Sequence, residues 1–208
     1  MNDHEIYDAR LEILDYAIDI FSDAPGESFI GTFLDGESRI PEKEVNPALD
    51  EGFAEVKAFI AENEGRSVED VRDELATEYT RLFVGPRPPV LAHETYYRDD
   101  TDFLGTGLAD VQASYAAAGW APPEEYPEEA DFVVVELAFL RYLVERQRRG
   151  DDETFGFERV FLDEHLLAWV DTFSAAVLKN TDESFYRAGA KIVEGFVEFE
   201  DELVAQMV

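Results

Sequence analysis

The chain has 208 residues, 17 of them Lys or Arg against 48 Asp or Glu, for a formal net charge of −31. It holds no Cys, which excludes disulfide frameworks, thiolate zinc centres and cysteine nucleophiles; its charge argues against nucleic acid or an anionic membrane surface as a partner. With 16 Phe, 9 Tyr and 2 Trp the chain is too aromatic for an acidic disordered segment, and its length suits one domain with a substantial core.

Apolar spacing is helical nearly throughout. Ile6, Ile13, Ala17 and Phe21 predict a first helix capped at Asn2 or Asp3, and Phe29-Ile30 with Phe33-Leu34 predict a short second one after Pro25-Gly26. Asn46-Pro47 opens a third helix, striped by Leu49, Phe53, Val56 and Ile60, because Pro suits the first helical position. Ser67 followed by Asp70 reads as a cap with an acid in the first turn, ahead of Val71, Leu75, Tyr79 and Leu82.

Gly85-Pro86-Arg87-Pro88-Pro89 halts helix and starts a long Pro-rich loop at about 84–105. Leu108, Val111, Tyr115 and Ala118 predict a helix closed by Gly119, and Pro122-Pro123 and Pro127 mark a second irregular link. The spacing then predicts a helix over about 129–148, one over about 153–178 and a final one from Phe185 to Leu203, capped near Asp182 or Ser184. Arg146, Arg148 and Arg149 ahead of Gly150 suit the end of a helix, where cations complement the dipole. With no alternating strand and no internal repeat, the expectation is all-α: a single-domain bundle of about eight helices spanning 1–208.

Only four of the 17 cations are Lys (Lys43, Lys57, Lys179 and Lys191). An acid-rich, Lys-poor folded chain predicts a halophilic source, since at ~1 M salt a Debye length of about 3 Å screens its self-repulsion. The acidic start, Met1-Asn2-Asp3-His4-Glu5, is the opposite of a signal peptide's basic region, and no apolar run approaches a membrane span. The expected location is cytoplasmic.

Chemical motifs are sparse. His93-Glu94 and Asp163-Glu164-His165 hold residue types that bind zinc or iron, but no His-Glu-x-x-His or Glu-x-x-His pair puts them on one helical face. No phosphate-cradling Gly loop or Gly-x-Ser-x-Gly elbow is present, so neither a metal nor another cofactor is predicted, and the expectation is a protein without catalytic residues. Pro86-Arg87-Pro88-Pro89 meets a polyproline pattern, though a stiff interhelical loop accounts for it more simply. Tyr79, Phe83, Val90, Leu91, Tyr96 and Tyr97 border this loop and suit either a groove for an apolar peptide helix or ordinary capping of the core.

Three segments resemble the TorD/DmsD/NarJ-type redox enzyme maturation chaperones. Glu78-Tyr79-Thr80-Arg81-Leu82-Phe83-Val84-Gly85-Pro86, followed by Glu94-Thr95-Tyr96, is similar to the family's Tyr-x-x-Leu-Phe-x-Gly-Pro signature and its Pro-rich loop. Pro127-Glu128-Glu129-Ala130-Asp131-Phe132, continuing through Glu136-Leu137-Ala138-Phe139-Leu140, resembles its Pro-Asp-His helix. Phe161 to Trp169, with His165 and Leu166, resembles its Phe-x-x-x-His-Leu-x-x-Trp helix, and Phe185-Tyr186 its final helix.

The likeness runs from about Val71 to Leu203 and implies a non-catalytic cytoplasmic chaperone. Its partners are then the catalytic subunit of a molybdopterin oxidoreductase (DMSO reductase superfamily) and that subunit's twin-arginine signal peptide, held until molybdenum cofactor insertion. The implied peptide-binding residues are Tyr79, Phe83, Pro86, Glu94, Tyr96, Asp131, Phe132, Glu136 and Phe139, the acids toward arginines and the aromatics toward the apolar stretch. The family's Asp-His pair stands here as Asp131-Phe132, implying a more apolar groove. A monomer and a dimer both fit, and the alternative is a helical adaptor or regulator for another peptide.

Overall fold

The computed structural model describes residues 3–35, 40, 44–98, 106–123 and 129–207. Residues 99–105 of the predicted loop and Pro127 in the second link lie outside them. The fold is all-α. Among the described residues the helices are α1 (Asp3–Ser22), α2 (Glu27–Leu34), α3 (Pro47–Glu62), α4 (Val68–Tyr79), α5 (Thr106–Ala117), α6 (Val133–Arg148), α7 (Thr154–Glu164), α8 (Val170–Asn180) and α9 (Ser184–Met207). No helix among them is long and apolar enough to cross a membrane.

Local chemistry sets many of the boundaries. The Asn46 side chain accepts from Leu49 N at 2.9 Å, with Pro47 opening α3, and Ser67 accepts from Asp70 N at 3.1 Å to start α4. Gly119 and Gly150 sit just past α5 and α6 at φ of +73° and +89°, the left-handed stop that other residues resist. One boundary differs from expectation. The predicted helix over about 153–178 is two helices, α7 and α8, parted at His165 (φ −124°, ψ −86°), a 3-10 turn over Leu166–Ala168, and Trp169 (φ −146°, ψ −21°).

The backbone packs as two compact units whose boundaries fall inside α1, α8 and α9 and between Leu91 and Ala92. The first comprises residues 1–18, 92–172 and 196–208. Its α6 is buried on every side from Val133 to Leu140, as an apolar-all-round helix must be, and α7 packs along it. The buried Arg10 guanidinium gathers polar groups from three helices here. It donates to Glu200 Oε1 and Glu158 Oε1, each at 2.8 Å, and to Gln147 Oε1 at 2.7 Å, while Gln147 donates to the other Glu158 oxygen. Burial, with the Glu200 charge beside it, pushes the Glu158 carboxyl well above its usual value even against the pull of Arg10.

The second unit comprises residues 19–91 and 173–195. Its aromatic core joins Phe33, Phe59 and Phe185 with ring centroids 5.2–6.2 Å apart. Here α9 presses on α3 through glycine: a Cβ on Gly195 would lie 2.4 Å from Leu49 N, and one on Gly52 would lie 2.7 Å from Ile192 Cγ1.

Candidate functional site

In the first unit, residues 92–98 and the start of α6 are joined by an antiparallel bridge between His93 and Phe132. Glu94 N donates to Asp131 O and Val133 N to Ala92 O, both at 2.9 Å. This pairing carries Glu94 and Tyr96, on a 3-10 turn over Glu94–Tyr96, to Asp131, Phe132 and Glu136 at the N-terminus of α6. Five of the nine predicted residues therefore meet in one place, although 35 or more positions of chain separate the two segments.

The three acids there have different fates. Asp131 accepts from Thr95 Oγ1 at 2.6 Å and Thr95 N at 3.3 Å, and meets His93 Nδ1 at 3.2 Å. Burial works against its charge, but the His93 and Thr95 hydrogen bonds outweigh it and hold the carboxyl below its ordinary value. Glu94, fully buried, is bound by Arg98 and by His165 Nδ1 at 3.1 Å. Glu136 accepts from Trp169 Nε1 at 3.2 Å, and its other oxygen, Oε1, is buried without a hydrogen-bond partner. Burial, then the charge of neighbouring Glu94, pushes the Glu136 carboxyl well above its ordinary value.

Phe132 stands where the resembled family has His, yet an imidazole still reaches the aspartate. His93, across the bridge, lies tilted with its ring centroid 5.3 Å from that of Phe132 while touching Asp131. Tyr96, 52% exposed, adds its ring 6.1 Å from His93, so the outer face of the site is aromatic over an ionised floor. His93, Glu129 and Asp131 also bring one ligand-type atom each within 4.8 Å of the others, the residue types that suit a divalent cation.

Phe139 lies further along α6 in the core of this unit, fully buried and 4.8 Å from both Tyr115 and Phe161. Tyr79, Phe83 and Pro86 belong to the second unit. There α4 runs into a π-helical turn over Thr80–Val84, closed by Gly85 N donating to Thr80 O at 2.8 Å, which turns the half-buried Phe83 ring toward Phe21, Tyr79 and Tyr186. Tyr79 is buried and donates to Phe21 O at 3.0 Å; Pro86 is exposed.

Sequence reasoning did not find His93 as the partner of Asp131, Arg98 as the partner of Glu94, or Ser114, whose hydroxyl lies 3.0 Å from His165 Nε2. His93 and Ser114 carry no local mark, because their partners lie on other segments, whereas Arg98 stands four residues after Glu94, a spacing that could have found it. The metal reading of Asp163-Glu164-His165 differs from what the fold does with that imidazole, which is held by Glu94 and Ser114.

Residues 44–175 match the family described as nitrate reductase delta subunit. Chaperone protein TorD of Photobacterium profundum is 27% identical over 177 residues, 81% of this chain and 78% of the relative. Chaperone protein TorD of Vibrio vulnificus (strain YJ016) is 27% identical over 149 residues, 68% of this chain and 69% of the relative. No solved structure gives a significant match. The chain belongs to the nitrate reductase delta subunit family, the TorD-like family of redox enzyme maturation chaperones, whose members are maturation factors and not catalysts.

Proposed function

We propose that this protein is a cytoplasmic assembly chaperone that binds the twin-arginine signal peptide of a molybdopterin oxidoreductase catalytic subunit. It holds the apoenzyme, of the DMSO reductase superfamily, for molybdenum cofactor insertion before export. The observation that carries the reading is the bridge-pinned site of the first unit. It sets an exposed aromatic face, Tyr96 with Phe132 and His93, over the ionised Asp131 and over Glu94, which already holds one guanidinium, that of Arg98. A leader of this class pairs arginines with an apolar helical stretch, and this face offers both chemistries. Glu136 lies fully buried at that site, while Phe139 in the core and Tyr79, Phe83 and Pro86 of the second unit are assigned to the apolar stretch on the resemblance alone.

Exposed ion pairs are heavily screened in molar salt, so apolar burial and buried bidentate contacts carry the affinity. The test is calorimetric titration of a molybdoenzyme twin-arginine leader into the folded protein in molar salt. Micromolar or tighter binding, about −8 kcal/mol or better, that weakens in Tyr96→Ala and Asp131→Ala supports the proposal. No binding to leaders of several molybdoenzyme classes refutes it and favours an adaptor for another peptide.

A further inference from the structure

A groove between α5 and α7, within the first unit, lies beside the site described above. Asp110, Ala113 and Ala117 line it from α5, and Phe157, Val160 and Glu164 from α7, around an open volume of about 680 Å³. Each set recurs at three and four residues, so each occupies one face of its helix. The exposed alanines keep the α5 wall low, which lets a further helix approach closely. Val160 leaves its apolar side chain on the other wall 48% exposed, and apolar surface left open in a groove marks a place of contact.

The groove is polarised along its length. Ser114 Oγ lies 3.0 Å from Nε2 of His165, the residue that ends α7. Ala118, just past the end of α5, accepts through its carbonyl from Arg146 Nη1 at 3.1 Å, near the end of α6. Gln147, the next residue of α6, donates to Glu158 in the first half of α7 at 2.5 Å. The two helices therefore run antiparallel. Asp110 falls with Asp163 and Glu164 at one end, and Ala117 with Phe157 and Val160 at the other. Asp163 is paired with Arg159, and Arg98 with Glu94, which leaves Asp110 and Glu164 to make the first end negative. Arg98 also donates to the Glu164 carbonyl, so the acidic end abuts the Glu94 side of the peptide site.

We propose that this groove seats the apolar helical stretch of the leader peptide, its arginine end toward Asp110 and Glu164 and its apolar end on Ala117, Phe157 and Val160. The inference rests on the proposed function and names the surface that receives the apolar part. Of the residues assigned to that part on the resemblance, Tyr79 and Phe139 are buried, whereas the groove offers its apolar wall to solvent. Seven residues separate Phe157 from Glu164, about 10 Å or two turns along the axis. An apolar leader stretch of roughly 7–15 residues is about 10–22 Å long as a helix, so the groove holds the turns that follow the arginines and leaves the rest to surfaces beyond it. The order of charge along the groove selects a helix with its cations at one end, and an anionic helix is repelled.

The test is calorimetric titration of a molybdoenzyme twin-arginine leader in molar salt with two variants of the full chain. In Ala113→Trp the indole fills the groove; in Gln112→Trp it stands on the exposed neighbouring position outside it. Expected is a loss of about tenfold or more in affinity for Ala113→Trp and none for Gln112→Trp. The chain has no Cys, so Val160→Cys or Asp110→Cys takes a single nitroxide spin label. The label at 160 is expected to broaden the NMR signals of the leader's apolar stretch, and the label at 110 those of its arginine end. Leader binding that Asp131→Ala weakens but both tryptophan variants leave unchanged, or labels that act in the reverse order, overturns the groove and leaves the proposed function standing. A leader that the wild type does not bind overturns both.

Discussion

Replacing Arg10 by Met tests the polar centre of the first unit. Its guanidinium is buried and is bound by Glu200, Glu158 and Gln147, which come from α9, α7 and α6. Arg10→Met leaves two buried carboxyls without their cation, and breaking a buried pair in this way costs about 3–5 kcal/mol. For cooperative unfolding of a chain this long, an unfolding entropy of roughly 0.4 kcal/mol/K turns that loss into a fall in Tm of about 7–11 °C. The upward push of burial on the Glu158 carboxyl supplies the contrast. Glu158→Gln replaces a carboxyl whose protonated form burial favours by an amide of the same shape, and is expected to lose about one hydrogen bond, roughly 1 kcal/mol. Without Arg10 the buried carboxyl pair holds its protons more tightly than the unfolded chain does, so the stability linked to them is present at low pH and is lost as pH rises. The Arg10→Met deficit should therefore be larger at pH 8 than at pH 5, and Glu200→Gln added to Arg10→Met should recover part of it. The assay is thermal unfolding followed by circular dichroism in molar salt. A Glu158→Gln deficit as large as that of Arg10→Met would mean that Glu158 is ionised and the reasoning is wrong.

Two other perturbations have signs set by the structure. Glu136 has a folded pKa raised above the unfolded value, so the stability tied to its proton is lost as pH rises through the folded pKa; Glu136→Gln removes that loss, and its Tm should gain on wild type steadily as pH increases from 5 to 9, whereas parallel Tm–pH curves contradict a raised Glu136 carboxyl. Gly195→Ala places a Cβ 2.4 Å from Leu49 N and 2.8 Å from Asn46 Oδ1, disturbing the α3 cap, and should cost about 2–4 kcal/mol from overpacking and cap loss combined. Gly156→Ala in α7, with nothing within 4 Å of the new methyl, should instead stabilise by about 0.5–1 kcal/mol, so equal Tm shifts for the two glycines contradict the packing argument.

The all-α class and most helix starts were legible along the chain because they depend on near neighbours. The Asn46-Pro47 and Ser67 caps act over three residues, and the apolar stripes recur every three or four. The family signatures were legible too, and they led to Glu94, Asp131 and Glu136 before any coordinates. The protonation states of those acids depend on what each is buried against. Burial and then the neighbouring Glu94 raise the Glu136 carboxyl, while His93 and Thr95 hold Asp131 below its ordinary value, and none of these pairings follows a helical or strand period. The same holds at His165, where the apolar rhythm of Leu162, Leu166 and Trp169 reads straight through the position as helix. Partners 71 and 51 residues upstream, Glu94 and Ser114, engage its two ring nitrogens at the break. Apolar burial is non-directional and leaves a periodic trace, whereas a buried polar group needs a specific partner at bonding distance. Folding brings that partner from a distant segment for His93 and Ser114, which is why they became visible only in three dimensions, whereas Arg98 lies four residues from Glu94, within reach of a spacing argument.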